Sequence, residues 1–280
     1  MDYLHRHVEK RVNASALLPG ARTVIVFALS YNQRPPETPD DGGARGRVAM
    51  YAWGDDYHRI VKQKLFIVVD RLREAIDEPF EAKVCVDTAP LLEREYAMAA
   101  GIGWIGKNTL VLHERLGSYF FLGEIVTTLE ISPDRPASDH CGRCTRCLEA
   151  CPTAAFPEPY EMDASRCISY LTIECRRDEF PPELRPLMRD WVFGCDICQQ
   201  VCPYNRDAPA TEEPRFEIRP PGPNPDLAML ANASDEQYRV MLRASAIKRA
   251  KPWMLRRNAR TALANSRQRF TDVAVGDTDL

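Results

Sequence analysis

The sequence predicts an α+β or α/β chain: an α/β domain, then a ferredoxin-like domain organised by metal, then a short helical segment. Strand-like and helix-like patterns alternate over residues 1–135, nine of the ten cysteines lie between Cys141 and Cys202, and Lys and Arg dominate the last helical pattern. The chain has 280 residues, 45% of them apolar, which suffices for two or three compact parts. We expect their boundaries at 1–135, 136–208, 209–225 and 226–280.

The first part alternates between two kinds of apolar pattern. Runs rich in β-branched and aromatic residues predict strands at 23–31, 80–86 and 119–131. Apolar residues at helical spacing predict helices at 57–76 and 91–100. Between these elements, the Pro- and Gly-rich stretch 34–46 predicts a long loop, and the glycines of 101–106 predict a turn.

Composition excludes several classes of protein. No apolar run approaches the ~20 residues of a membrane-spanning helix, and the first residues do not resemble a secretion signal. We therefore expect a soluble cytoplasmic protein, whose cysteines serve metal or redox chemistry rather than disulfides. The net charge of −3 excludes a uniformly basic nucleic-acid binder, although it leaves local basic patches open.

Two cysteine runs give the strongest motif. The first, C-x2-C-x2-C-x3-C-P, is typical of bacterial ferredoxins with two [4Fe–4S] clusters and comprises Cys141, Cys144, Cys147 and Cys151. The second comprises Cys195, Cys198 and Cys202, with Val192 where its first cysteine would stand. A pseudo-symmetric arrangement gives one cluster Cys141, Cys144, Cys147 and Cys202. The other takes Cys151, Cys195, Cys198 and either Cys167 or Cys175.

The alternative is a pair of four-thiolate zinc sites. We disfavour it, because zinc does not require three evenly spaced cysteines followed by a fourth that crosses to a second site. We also expect the core of this part to be inorganic, since cysteine and proline replace the apolar periodicity there. Six prolines over 209–225 then predict a stiff linker.

Asp87 is the candidate catalytic residue. It follows the predicted strand 80–86 and precedes a predicted helix, at the sheet edge where α/β folds usually bind ligands. The alternative is that Asp87 or Thr88 caps that helix, with Pro90 in its first turn. The pattern by itself favours the cap.

Other candidates are weaker. Lys107 and Asn108 follow the glycine turn, where they would either hold an anionic or amide-bearing ligand or simply form a surface turn. Cys85 is expected to be an inert buried thiol. The five histidines show no ligand spacing, and we interpret them as surface or loop residues.

The end of the chain is basic. Between Gln237 and Thr271 it has ten Lys or Arg residues and no acidic residue, in a helical pattern broken at Pro252. Two interpretations stay equally open: cations that pair with RNA phosphates, and the solvated face of amphipathic helices.

Several motifs together resemble the epoxyqueuosine reductase family. They are V-D-T-A-P-L-L-E-R at 86–94, A-G-I-G-W-I-G-K-N at 100–108, C-I-S-Y-L-T-I-E at 167–174, G-C-D-I-C-Q-Q-V-C-P at 194–203, I-K-R-A-K at 247–251 and R-N at 257–258. The resemblance runs from about Tyr3 to Ser266. It is far more specific than a ferredoxin motif alone.

The resemblance implies a cytoplasmic oxidoreductase, homologous to reductive dehalogenases, that uses cobalamin and two [4Fe–4S] clusters. It would reduce the epoxide of epoxyqueuosine at the wobble position of tRNA to queuosine. Asp87 matches the proposed proton donor, and Cys167 matches the last cluster ligand, which leaves Cys175 spare. The positions that match corrinoid contacts are Arg11, Tyr51, Asp87, Lys107, Asn108 and Ser169. The cations expected to contact tRNA are Lys248, Arg249, Lys251, Arg256 and Arg257.

The reaction sets conditions on these residues. Opening an epoxide takes two electrons from a low-potential centre and an acid for the departing oxygen. Asp87 would then be protonated at neutral pH, which requires burial against an apolar corrin face to raise its pKa. Family members usually begin earlier and continue into helical repeats. The resemblance therefore implies a shortened form, with 226–280 as the remnant of the repeats and with reduced activity or tRNA affinity.

Three alternatives stay open at this point. The chain would be a ferredoxin-type electron carrier, a corrinoid reductase acting on a small molecule, or a non-catalytic RNA-binding protein with structural clusters. For the enzyme we expect an electron donor of unidentified class as a partner, and a monomer.

Overall fold

The computed structural model describes residues 8–38 and 41–276, with side chains as far as residue 266. The chain forms two compact units, each assembled from separate segments. The first comprises the described residues up to Asn32, Asp56–Thr145 and Cys202–Glu213, and the second comprises Gln33–Asp55, Arg146–Val201 and the described residues from Pro214. The four consecutive ranges predicted from the sequence, with boundaries at 1–135, 136–208, 209–225 and 226–280, stay predictions. Within the described ranges, no helix is both long enough and apolar enough to cross a lipid bilayer.

A three-stranded sheet forms the centre of the first unit. Strand β6 (Phe120–Thr127) lies between β1 (Thr23–Ser30) and β3 (Ala82–Cys85) and is antiparallel to both. The three predicted strands are confirmed. The sheet nevertheless differs from the parallel one usual in α/β domains, because β6 runs in the opposite direction between its two neighbours.

Helices cover both faces of this sheet. Helix α2 (Tyr57–Ala75) packs so closely on β6 that a Cβ on Gly123 would lie 2.6 Å from the Val61 side chain. Helix α3 (Glu93–Ala99) packs on the other face through Ala97. These elements confirm the two predicted helices. The unit also contains α1 (Val8–Val12), β4 (Trp104–Ile105) and β5 (Val111–Leu112).

The second unit carries most of the cysteine motif on short elements. Strand β2 (Arg47–Val48) pairs in parallel with β7 (Trp191–Phe193). Around them lie α4 (Arg146–Glu149), α5 (Ile168–Ile173) and α6 (Ile197–Gln200). The expectation of a purely inorganic core is wrong, because an apolar cluster fills this unit. It includes Ile168, Leu171, Phe180, Leu184, Met188 and Trp191.

The basic segment is helical, as predicted. It comprises α7 (Leu227–Asn232), α8 (Asp235–Met241), the 3-10 turn Ala246–Arg249 and α9 (Pro252–Gly276). Pro252 begins α9, which suits a residue without an N–H. Helix α9 packs against α5, α7 and β7. Arg267 and Arg269, the last two of the ten cations, have side chains outside the described part.

The proline-rich stretch predicted to be a linker is instead tied down by backbone hydrogen bonds. In the first unit, the Thr211 N–H donates to the Asn32 carbonyl at 2.7 Å. In the second, the Arg219 N–H donates to the Trp53 carbonyl at 3.0 Å. Proline removes donors but leaves carbonyls and the remaining N–H groups available, so a proline-rich stretch can still dock on a compact unit.

Candidate functional site

Asp87 lies in the loop between β3 and α3, where the sequence places it. Its φ of 50° is in the left-handed region, which Asp tolerates better than most residues. Helix α3 begins after Leu92, and none of the described side chains caps it. The predicted cap by Asp87 or Thr88 is therefore wrong. The Asp87 N–H instead donates to Glu93 Oε1 at 2.5 Å, and the Asp87 side chain stays 54% exposed.

His58, in the first turn of α2, is the main residue that the sequence missed. Its Nε2 lies 3.0 Å from Asp87 Oδ2, and its Nδ1 lies 2.7 Å from Asp56 Oδ1. Burial opposes the charged imidazole, but the hydrogen bonds to Asp56 and Asp87 outweigh it and raise the pKa of His58 to about 9. At neutral pH, His58 thus holds a proton next to Asp87. The interpretation of all five histidines as surface or loop residues is corrected.

Two glutamates lie behind the Asp87 loop. Glu124 is fully buried in the middle of β6, where neither of its carboxyl oxygens has a hydrogen-bond partner among the described residues, and Glu93 lies at the start of α3. Burial and the repulsion between the two carboxyls raise the pKa of Glu124 to about 9. Burial, with repulsion from Asp87, raises the pKa of Glu93 to about 7. The available sequence signal was a Glu inside the apolar run of the predicted strand 119–131.

The residues expected to contact a corrinoid lie in both units. Arg11 is in the first unit, where its buried Nε has no hydrogen-bond partner among the described residues. Asn108, also there, is 3% exposed, and its Oδ1 accepts the Leu110 N–H at 3.3 Å. Tyr51 and Ser169 belong to the second unit.

Lys107 stabilises the first cysteine loop. Its Nζ donates to the Gly142 carbonyl at 2.8 Å and to the Cys144 carbonyl at 3.0 Å. The Cys144 N–H donates in turn to the Cys141 carbonyl at 3.1 Å. An ammonium fixed beside this loop would also offset the negative charge of bound thiolates.

Three cysteines converge in the first unit. Burial raises the pKa of Cys202, and repulsion from Cys141 and Cys144 raises it further, as expected of thiols lying close together. The Cys141 N–H donates to Asp139 Oδ1 at 2.7 Å, which fixes the start of the loop. Cys147 follows on α4, in the second unit.

Four more cysteines converge in the second unit. Burial is the largest cause that raises the pKa values of Cys195 and Cys198, and neighbouring Cys167 contributes to both. Cys151 lies close enough to raise the pKa values of Cys167 and Cys195. Cys175, the other candidate ligand, is buried instead in the apolar cluster of this unit. Of the two candidates, the structure places Cys167 with the group.

Arg257 does not have the exposed position that its predicted RNA contact requires. It is 8% exposed, and its guanidinium donates to the carbonyls of Leu171 at 3.2 Å and Cys175 at 3.0 Å. It also lies 4.0 Å from the centre of the Phe180 ring. Asn258, next in the chain, donates to carbonyls on α5 and β7. The R-N motif therefore stabilises the second unit, which corrects the assignment of Arg257.

The other predicted RNA contacts lie nearer the surface. Arg249 forms an ion pair with Glu174 at 2.8 Å, and Arg256 forms one with Asp235 at 2.7 Å. Lys248 and Lys251 are exposed on the 3-10 turn and just before α9. These two lysines are the best placed of the five for phosphate contacts.

Comparisons with known proteins agree on one family. A family model described as "Epoxyqueuosine reductase QueG, DUF1730" matches residues 11–88, and a "4Fe-4S double cluster binding domain" matches residues 140–205. The second match decides between iron–sulfur clusters and zinc in favour of the clusters. Epoxyqueuosine reductase of Synechocystis is 44% identical over 255 residues, which cover 91% of this chain and 87% of the relative.

Solved structures are similar too. An epoxyqueuosine reductase in complex with an epoxyqueuosine-modified tRNA-Tyr stem loop has a TM-score of 0.87 at 35% identity, covering 93% of this chain and 69% of that one. A Bacillus subtilis epoxyqueuosine reductase, captured with its catalytic aspartate loop swung out of the active site, has a TM-score of 0.86 at 34% identity. The coverage is again 93% and 69%.

Proposed function

The chain belongs to the epoxyqueuosine reductase family, and we propose that it reduces the epoxide of epoxyqueuosine at the wobble position of tRNA to queuosine. Two electrons and two protons enter, both C–O bonds of the epoxide break, a C=C bond forms, and the oxygen leaves as water. Identity of 44% over nine-tenths of the chain sets aside a simple ferredoxin and a small-molecule reductase. The relative bound to a modified stem loop supports a tRNA substrate, and hence a cytoplasmic location.

Two [4Fe–4S] clusters are cofactors of the enzyme, and the thiols fit them. One set is Cys141, Cys144, Cys147 and Cys202; the other is Cys151, Cys167, Cys195 and Cys198. The spacing of the two runs and the convergence of thiols within each unit support this assignment. Cysteine binds the clusters as the thiolate. Burial alone would disfavour that negative charge, and bonding to iron offsets this cost.

Cobalamin is the remaining cofactor, and it supplies low-potential electrons to the substrate when bound. The corrin rim carries carboxamides, which need hydrogen-bond donors and acceptors. Arg11 fits this need, since its buried Nε is left without a partner among the described side chains. Asn108 would contribute from the same unit, whereas the roles of Tyr51 and Ser169 stay predictions from the family resemblance. Lys107, which is bound to two carbonyls, would act through the adjacent cysteine loop.

The observation that carries the proposed mechanism is the hydrogen bond between Asp87 and His58. The burial that the sequence predicts for Asp87 is not present, because half of its side chain is exposed. The protonated His58 is the source of the proton, because its Nε2–H donates to Asp87 Oδ2 over a distance of 3.0 Å. Asp87 then takes this proton from His58 and delivers it to the departing oxygen, which leaves His58 neutral until it is protonated again from solvent. The relative whose catalytic aspartate loop swings out supports a mobile role for this loop.

The test is an anaerobic reaction of the protein, reconstituted with iron, sulfide and cobalamin, with a chemical reductant and tRNA carrying epoxyqueuosine. We expect nucleoside mass spectrometry to show one queuosine per epoxyqueuosine consumed. Protein that binds all cofactors but forms no queuosine would contradict the proposed reaction. The physiological electron donor and the monomeric state stay predictions.

The basic segment gives a separate prediction about tRNA. Replacing Lys248 and Lys251 together by Ala should weaken tRNA binding about tenfold at moderate salt and reduce the salt slope by roughly two, because each lysine neutralises about one phosphate. Fluorescence anisotropy with a labelled anticodon stem loop at several salt concentrations measures both. The matched control replaces Arg71 and Arg73, exposed on α2. Equal losses in both double variants would show a general charge effect.

A further inference from the structure

Tyr57, the first residue of α2, lies between two other rings, and the proposed reaction gives it no role. Its ring stacks on the imidazole of His58, with the ring centres 4.1 Å apart and the planes 25° from parallel. It also stacks on Phe121 of β6, with the centres again 4.1 Å apart and the planes 3° from parallel. Two rings at that distance would overlap if they shared one face. His58 and Phe121 therefore lie on opposite faces of Tyr57.

The sheet fixes the inner ring of this stack. Phe121 pairs with Leu29 of β1 and is buried. Side chains alternate between the two faces of a strand, so Phe121 shares a face of the sheet with Gly123, where α2 packs on β6. The ring of Tyr57 thus rests on a buried ring of the central strand, and the imidazole of His58 rests on Tyr57.

The imidazole is held at its edge by two carboxylates. Asp56 Oδ1 accepts the His58 backbone N–H at 3.2 Å and lies 2.7 Å from Nδ1, and Asp87 Oδ2 lies 3.0 Å from Nε2. Contacts at the two nitrogens alone leave the ring able to turn about the line that joins them. A flat ring 4.1 Å from the imidazole face opposes that rotation. Tyr57 thus supplies the contact that the carboxylates cannot.

The stack also favours the charged imidazole. The face of an aromatic ring is negative, so it attracts a cation that lies against it. Partial burial of His58 works in the opposite direction. Glu124, at an odd spacing from Phe121 on β6, lies on the other face of the sheet. The charged groups that act on His58 are Asp56 at the start of α2, Asp87 after β3 and Glu93 on α3, and the nearby cations on α2, Arg59 and Lys62, are exposed.

We propose that Tyr57 is a positioning residue, which holds His58 in the orientation that delivers its proton to Asp87 and stabilises the imidazolium through its ring face. This inference rests on the proposed role of His58. A side chain that only filled space at this position could be any large apolar one, whereas orientation and charge both require an aromatic face.

The first experiment changes the charge of the ring face while its shape is kept. In the cofactor-loaded enzyme, Tyr57→Phe is compared with a variant that has trifluorophenylalanine at the same position, because fluorine withdraws electron density from the ring face. We expect the pKa of His58 to be lower by about 1 in the fluorinated variant, the size of a partly desolvated cation–π contact. Deuterium exchange of the His58 Cε1–H, followed by mass spectrometry across pH, measures this pKa. The fluorinated variant should also react about threefold more slowly at about pH 8.5.

The second experiment tests orientation. Tyr57→Leu removes the ring, and we expect kcat to fall about tenfold at every pH because the imidazole is no longer aligned with Asp87. KM for tRNA and the cofactor contents should not change. Tyr57→Phe keeps the aromatic face and should stay within about twofold of the wild type. The matched control is Phe66→Leu, which removes an exposed ring further along α2 and should change neither kcat nor the pKa of His58.

Two results would overturn the inference: an equal pKa of His58 in Tyr57→Phe and the fluorinated variant, or an equal kcat in Tyr57→Leu and Tyr57→Phe. If Tyr57→Leu does not fold, the comparison of Phe with its fluorinated form decides alone. Exchange at Cε1 requires no turnover, so a failure of the proposed reaction remains distinguishable from a failure of this inference.

Discussion

Asp87→Asn should lower queuosine formation about a thousandfold while the iron and cobalamin contents stay at wild-type values. The amide keeps the shape of the side chain and still accepts a hydrogen bond from His58, but it has no proton to transfer to the departing oxygen. General acid catalysis contributes roughly 10²–10⁴-fold, and the variant loses that contribution. Single-turnover reactions with nucleoside analysis measure the effect directly. Wild-type turnover in fully loaded Asp87→Asn would contradict the acid role.

The same assay across pH tests the partner of Asp87. The pKa of His58 is raised from 6.5 to about 9, so the protonated form is present at neutral pH and is lost as the pH rises through about 9. We expect the wild-type rate to fall over that range. The stabilisation that His58 gives to the fold should be full below pH 6.5 and disappear over the same rise. His58→Gln should be slow already at pH 7, without the alkaline fall.

The parts of the site that the sequence predicts are local in sequence. The cysteine runs and the position of Asp87 after a strand depend on spacings of a few residues, which a motif records. His58 and Asp87 meet across 29 residues, on α2 and after β3, and no periodicity connects them. Glu124 comes close to Glu93 because α3 packs on β6, the central strand of the sheet. Such contacts follow from strand order, which the alternation of apolar patterns does not specify.

The sequence also does not show which charged side chains are buried. Arg257 and Lys251 lie six residues apart in one basic segment, yet Arg257 binds backbone carbonyls in the core whereas Lys251 is exposed. A long guanidinium side chain can donate to carbonyls at and just after the end of a helix, here α5, that would otherwise be buried without partners. Counting cations therefore overestimates the surface available to RNA. The same basic segment also stabilises the second unit, because Asn258 donates hydrogen bonds to carbonyls on α5 and β7.

Cys167 and Cys175 offer the sharpest test of the ligand assignment, because the sequence alone leaves both open. Cys167 lies at the start of α5, and burial raises its pKa while N–H groups of Tyr170 and Ser169 lower it by hydrogen bonding to the sulfur. N–H donors of this kind stabilise thiolates that bind iron–sulfur clusters. Cys175 instead packs among apolar side chains such as Leu171 and Phe180.

Replacing each cysteine by Ala should therefore give opposite results. Cys167→Ala is expected to lower the iron content from about eight to about four per chain, because one of two four-iron clusters loses a ligand. Queuosine formation should be lost with it if electrons enter through both clusters. Cys175→Ala should keep about eight irons and lose only some thermal stability, since a small buried side chain is trimmed. Iron and sulfide analysis, with electron paramagnetic resonance of the reduced protein, separates the two outcomes. Iron loss in Cys175→Ala with full iron in Cys167→Ala would instead make Cys175 the fourth ligand beside Cys151, Cys195 and Cys198.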